Sequence, residues 1–147
     1  MKVKVKILDK NIETTLPKYS RDGDCALDLV ATSVSESFDF IEYGTNIAIK
    51  IPEGYVGIIA PRSSISKYDL SLCNSIGVID QNYVGELKLR FKPNKDYSER
   101  RGFPIYYNIG DRIGQLLIVP IPKIELDLVE DLGETNRGSN GFGSSGV

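Results

Sequence analysis

The chain has no histidine and only two cysteines, Cys25 and Cys73, in 147 residues. Zinc sites draw mainly on those two residue types, and the cysteines lie far apart with no CxxC pairing, so a zinc centre would have to be assembled from carboxylates. Each cysteine reads as a small buried apolar residue. Also lacking is any unbroken apolar run of the length a signal peptide or membrane span requires, and Met1-Lys2-Val3-Lys4-Val5-Lys6 alternates charge with valine. A soluble, cytoplasmic protein is expected. No excess of one charge is present either: 18 Lys and Arg stand against 20 Asp and Glu, a formal net charge of −2. Nothing in that balance argues for nucleic acid or an anionic membrane as partner. No Pro/Gly-rich break divides two apolar blocks, so the length suits one domain with one hydrophobic core.

What the chain does have is period-2 alternation: Val3, Val5, Ile7; Ile47, Ile49, Ile51; Leu87, Leu89, Phe91; and a run through Ile118 to Pro120. Such runs, bounded by Gly, Pro, Asn or Asp, are strands. Turn signals at Asp22-Gly23, Pro52-Glu53-Gly54, Pro93-Asn94 and Gly110-Asp111 recur with the rhythm of a sandwich, jelly roll or barrel. Only Ser64 to Leu70 has room for a short helix. Residues 133–147 hold five Gly and three Ser without periodic apolar residues, the composition of a flexible arm, yet Arg137 and Phe142 lie within it.

Three stretches offer chemistry. Pro61-Arg62-Ser63-Ser64 follows the apolar strand Val56 to Ala60, a junction suited to an anion, with a guanidinium fork and a hydroxyl at hand; the bland alternative is a serine capping a helix. Asn74 to Gly85 reads as a β-hairpin in which Asp80 follows the buried-looking Val78-Ile79. Turn formation explains Asn82 and Gly85 and explains Asp80 and Tyr83 less well, since these two together suit a ligand, one holding a water and the other offering a flat face; on its own residues Asp80 reads equally as a turn-forming Asx residue. In Gly110 to Gln115, Asp111 and Arg112 read most simply as a surface ion pair. Gln115 is either solvated or aimed into a polar site.

In this order, the stretches resemble the five motifs of the homotrimeric all-β dUTPase family: Cys25 to Ala31, Pro61 to Ser66, Asn74 to Gly85, Gly110 to Leu116 and Arg137 to Gly146. The resemblance spans nearly the whole chain from Asp24 onward. It implies an all-β, distorted jelly-roll or β-clip barrel over residues 1–132, and a flexible arm, residues 133–147, that closes over substrate. It also implies a homotrimer with active sites shared between subunits. The implied reaction is hydrolysis of dUTP to dUMP and pyrophosphate, with Mg²⁺ as cofactor, which keeps uracil out of DNA and supplies dUMP for dTMP synthesis. Asp80 would be the general base for water attack on the α-phosphorus, with Gln115 beside it in the catalytic set. Asn74, Gly77, Tyr83 and Phe142 would hold base and sugar, Tyr83 crowding out a 2′-hydroxyl. The phosphates would fall to Arg62, Ser63, Ser64, Gln115, Arg137, Ser144 and Ser145, and Asp28 would touch the metal through water only.

The chain departs from the family pattern at Ala26 and Ser64, where Gly is usual and tolerates positive φ, and at Val84, Gly114 and Ser145. One rival reading is a dCTP deaminase-like enzyme, whose required glutamate aligns with Arg90, a residue unable to shuttle protons. Another is a non-catalytic, nucleotide-binding regulatory trimer, against which Asp80 and the complete arm argue. A regulatory protein partner beside turnover stays open.

Overall fold

The computed structural model of the chain describes residues 1–94 and 106–141. Among these, nine strands form two antiparallel sheets. The first contains β1 (Lys4–Ile7), β3 (Ser33–Glu36), β4 (Ile41–Lys50), β6 (Leu70–Leu72) and β8 (Glu86–Pro93); the second contains β2 (Leu27–Val30), β5 (Tyr55–Ala60), β7 (Gly77–Ile79) and β9 (Arg112–Pro120). The fold is thus all-β, as expected. The order in the first sheet is β1-β4-β8-β6 with β3 also on β4, and in the second β2-β9-β5-β7. The one helical segment among the described residues is a 3₁₀ turn, Ser63–Lys67, ending before Leu70, which belongs to β6.

Alternation builds the interface between the sheets. In β8, Leu87, Leu89 and Phe91 are buried while Lys88 and Arg90 face outward. Full burial of one such side chain stabilises the fold by about 1.5–3 kcal/mol. Gly114 of β9 leaves room for a residue of the opposite sheet: a Cβ there would lie 2.5 Å from Leu89 Cδ2. Aromatic rings of the first sheet pack on the segment before β9, with the Tyr43 ring edge-on to Phe91 and to Tyr107, both centroids 5.9 Å away. The Tyr43 hydroxyl also accepts the Tyr107 N–H at 3.0 Å. Burial, chiefly, pushes both phenols up to about 12, so they stay neutral and serve as packing.

β4 breaks its own regularity. Gly44 pairs with Lys88 and Ala48 with Glu86, so Thr45, Asn46 and Ile47 stand opposite Leu87 alone. Asn46 absorbs the bulge at φ +56°, a conformation asparagine reaches more readily than most side chains. It is buried yet fully bonded: Oδ1 accepts the Asp9 N–H, and Nδ2 donates to the Asp9 carbonyl and the Thr14 hydroxyl. Ala26 and Ser64 are not among the residues of positive φ, so the side chains that replace the family's glycines strain no backbone. No helix among the described residues is long and apolar enough to cross a membrane.

Candidate active site

β5 leads directly into Pro61-Arg62-Ser63-Ser64, and Arg62, in extended backbone, precedes the 3₁₀ turn without a side-chain cap. Its guanidinium is committed elsewhere: Nε donates to Asp28 Oδ1 at 2.7 Å. Asp28 Oδ2 accepts from Ser20 Oγ at 2.8 Å and from an Arg112 nitrogen at 3.1 Å. Burial would raise the Asp28 pKa, but the Ser20 hydroxyl, the Arg62 charge and the bonds from Arg112 and Arg62 outweigh it and hold the carboxyl below its ordinary range. Arg112 therefore does not pair with Asp111, the simplest reading of the sequence. Asp111 instead accepts the Asn108 N–H at 2.7 Å, as a turn residue does. Gln115 opposes Ala60 and donates through Nε2 to the Pro61 carbonyl at 3.1 Å, so it fixes the loop beside Arg62. Asp28, Arg62, Gln115, Ser20, Asp24 and Cys25 line one cavity of about 380 Å³. Ser64 Oγ lies 3.4 Å from an Arg62 nitrogen, and Ser63 is exposed.

A second cavity, about 460 Å³, is lined by Asn74, Gly77, Val78, Ile79 and Tyr83 on one side and Lys88, Leu89 and Arg90 on another. The expected hairpin is not one. β7 pairs with β5 and β8 with β4 and β6, so strands joined by residues 80–85 belong to different sheets and the cavity opens between them. β7 is a sheet edge, and β6 covers β8 only from Phe91 to Pro93, with the Cys73 N–H reaching the Arg90 carbonyl. A strand edge presents alternate N–H and C=O groups outward. The edge of β7 and the uncovered start of β8 border this slot, an arrangement that suits the hydrogen-bonding rim of a flat base. The same edge position leaves Val78 58% exposed, where the sequence suggested burial.

Tyr83 borders the slot in a fixed pose. Its hydroxyl donates to the Glu86 carbonyl at 2.8 Å, and the ring lies on Gly85, where a Cβ would meet its hydroxyl oxygen at 2.6 Å. Asp80 is exposed directly after β7, in a turn closed by the Tyr83 N–H on the Asp80 carbonyl at 3.1 Å.

Two slot residues, Glu42 and Lys88, escaped the sequence reading, and a third, Arg90, entered it only as the position of a rival family's glutamate. Glu42 of β4 accepts from Lys88 at 2.8 Å and from Arg90 Nε at 2.7 Å, and the Arg90 guanidinium lies 4.5 Å over Phe40. The hydrogen bonds from Lys88 and Arg90 lower the Glu42 pKa. Outward positions two apart on β8 were the available signal; the partner on β4 had none. Both cysteines are exposed, against expectation, because Cys25 lies in the loop before β2 and Cys73 just past β6; each borders one cavity.

The two cavities share no lining residue. The structure gathers Asn74, Gly77 and Tyr83 in one, and Asp28, Arg62 and Gln115 in the other. Arg137 joins neither; it is exposed in a turn where Nε donates to the Asn140 carbonyl at 2.9 Å. Phe142, Ser144 and Ser145 lie outside the described residues. Among the described residues no group of three or more His, Cys, Asp or Glu is placed to hold a metal ion.

A dUTPase family model matches residues 13–146. A deoxyuridine 5'-triphosphate nucleotidohydrolase of Corynebacterium glutamicum is 38% identical, covering 98% of this chain and 94% of its own. The dUTPase of Staphylococcus bacteriophage 80alpha, solved with dUPNHPP, superposes with a TM-score of 0.83 at 32% identity, covering 99% of both chains. A mutant dUTPase of the S. aureus phage phi11, in which a structural Mg(II) ion is coordinated, gives a TM-score of 0.73 at 28% identity over 90% of this chain and 99% of its own. With the family model covering nearly all of its length and relatives matching from end to end, this chain belongs to the dUTPase family.

Proposed function

We propose that the chain hydrolyses dUTP to dUMP and pyrophosphate. The observation that carries this reading is the slot between the edge strand β7 and the part of β8 that β6 leaves uncovered, of nucleoside size and bordered by the loop that bears Asp80 and Tyr83. Outward N–H and C=O groups of β7, with Asn74, match the donor and acceptor edge of uracil. Gly77 leaves the floor open to a close approach of the ring. Tyr83 lies against the deoxyribose, and a 2′-hydroxyl would collide with its ring.

Asp80 accepts a proton from water as that water forms a bond to the α-phosphorus. The bond from the α-phosphorus to the bridging oxygen breaks in line, and pyrophosphate leaves with the electron pair. Arg62, Ser63, Ser64 and Gln115 stabilise the charge moving onto the leaving group. Because Arg62 rests on Asp28 in this structure, its remaining guanidinium N–H groups are the ones offered to phosphate. Residues 133–147 act as a separate arm, Arg137 with Ser144 and Ser145 on the terminal phosphate and Phe142 over the base.

Mg²⁺ on the triphosphate oxygens would offset their charge while keeping several waters. The residues fit that arrangement: Asp28 is ionised, and its three hydrogen bonds leave about one of roughly four acceptor positions for a metal-bound water. The separation of the two half-sites within one chain supports a homotrimer in which neighbouring subunits complete each site. Deamination of dCTP is not favoured, since Arg90, which aligns with the deaminase glutamate, cannot shuttle protons, and Glu42, the acid that lines the slot, is engaged by Lys88 and Arg90. The testing experiment follows pyrophosphate release from dUTP, dCTP and UTP in parallel. Release from dUTP alone is expected; equal rates on all three, or ammonia from dCTP, would overturn the reading.

A further inference from the structure

The Tyr83 ring is held by a residue that touches no substrate in the reading above. Its hydroxyl bonds to the main-chain carbonyl of Glu86, the first residue of β8. What fixes Glu86 is the irregularity in β4. The Glu86 carboxylate accepts the backbone N–H of Asn46 at 2.7 Å through Oε1, and Lys88 Nζ lies 3.8 Å from Oε2. That N–H points at Glu86 in a backbone where Asn46 adopts φ +56°. In a regular antiparallel pairing, the main-chain groups of this stretch would turn to the partner strand's main chain or away from it. Gly44, at the other end of the bulge, completes the seat, because a Cβ there would lie 2.6 Å from Glu86 Oε1.

The bulge is itself tied down. The Asn46 side chain bonds both main-chain groups of Asp9 and the hydroxyl of Thr14, and its carbonyl accepts the Leu8 N–H at 3.1 Å. A strained conformation of this kind persists where its surroundings over-determine it, and it clusters at sites where geometry matters. A continuous set of bonds thus runs from the segment after β1, through Asn46 and the Glu86 carboxylate, to the Glu86 carbonyl and the Tyr83 hydroxyl.

We propose that Glu86 is a positioning residue for sugar selection: its carboxylate, seated on the Asn46 bulge, fixes the start of β8 so that the Glu86 carbonyl holds the Tyr83 ring where it excludes a 2′-hydroxyl. This rests on the reading of Tyr83 as the face against the deoxyribose. The consequence is a selectivity that depends on a residue outside the slot. Glu86→Ala frees the start of β8 and lets the ring swing away from Gly85, so UTP gains relative to dUTP. Glu86→Gln keeps an oxygen acceptor for the Asn46 N–H and retains selectivity.

The experiment measures kcat/KM on dUTP and UTP for the full-length protein and its Glu86→Ala, Glu86→Gln, Tyr83→Phe and Tyr83→Ala variants. The dUTP/UTP ratio is expected to fall about ten- to hundredfold in Glu86→Ala, the scale of an ångström-sized misplacement. It should fall in the same direction in Tyr83→Phe, which keeps the ring and removes the tether. Glu86→Gln should stay within about threefold of the parent ratio. A Glu86→Ala protein that melts earlier but keeps the parent ratio overturns the inference, since a purely structural role moves stability and spares selectivity. If Glu86→Ala does not fold, Tyr83→Phe decides, an unchanged ratio again overturning it. An unchanged ratio in Tyr83→Ala removes the underlying reading of Tyr83 and this inference with it. A narrowed ratio in Tyr83→Ala alone removes only the inference.

Discussion

Asp80 is the only acid between Ile79 and Gly85, and its placement owes more to the turn it shares with Tyr83 than to any partner of its own side chain. Asp80→Asn keeps that turn and removes the proton acceptor. Turnover of dUTP is expected to fall by about 10²- to 10⁴-fold with nucleotide binding retained, measured by single-turnover kinetics beside equilibrium titration; a parent-like rate would remove Asp80 from the chemistry. Asp28 makes a different prediction. Its folded pKa lies below the ordinary 3.8, so the stability it contributes is fully present above that value and is lost as pH falls through the lowered one. The melting-temperature gap between the parent and Asp28→Asn should thus be steady above about pH 5 and shrink below 3.8. A gap that stays constant down to pH 3 would deny the carboxylate its role. At this scale the sequence singles out Asp80 and Tyr83 as an acid and an aromatic three residues apart beside a turn, whereas Asn74 is marked only by the family resemblance. The Asp28–Arg112 contact is not legible there, since its members are 84 residues apart and neither one's local pattern names the other.

Period-2 runs mark β1, β4, β8 and β9 in the sequence, an unbroken apolar run marks β5, and turn residues bound them. β3 is exposed along its length and carries no such pattern; only pairing to β4 makes it a strand. The bulge is hidden for the opposite reason. Thr45-Asn46 reads as an interruption of an apolar run, and only the register against β8 shows that the strand passes through it. Residues 74–85 read as a hairpin because local sequence does not record which strand each arm pairs with. The contact between sheets yields a stability prediction at Gly114, where the family usually has Ala. Leu89 Cδ2 already occupies the space, and Leu89 is buried, so Gly114→Ala over-packs the interface. A loss of about 1–3 kcal/mol is expected by urea unfolding; a neutral or stabilising result would show that Leu89 yields freely.

The proposed sharing of the two half-sites between neighbouring subunits of a homotrimer predicts a particle of about 49 kDa, three times the 16.3 kDa chain, by light scattering. A fully active monomer at micromolar concentration would sink the shared-site reading. Deleting residues 133–147 removes none of the described residues of the hydrophobic core, so the melting temperature should barely change. Turnover should collapse: if the proposed closure buries Arg137 against the terminal phosphate, losing such a hydrogen-bonded charge partner costs about 2–5 kcal/mol, roughly 30- to 4,000-fold from Arg137 alone. Activity within about threefold of the full chain would make the arm dispensable. The slot between β7 and β8 has a further consequence for handling the protein. The edge of β7 and the start of β8 that β6 leaves uncovered are templates for pairing with another chain, and the short β7 and the outward Lys88 and Arg90 limit that hazard without removing it. A nucleotide seated there covers both edges at once, so bound ligand acts as a guard against aggregation, and turbidity on heating should set in later with a non-hydrolysable dUTP analogue than without it.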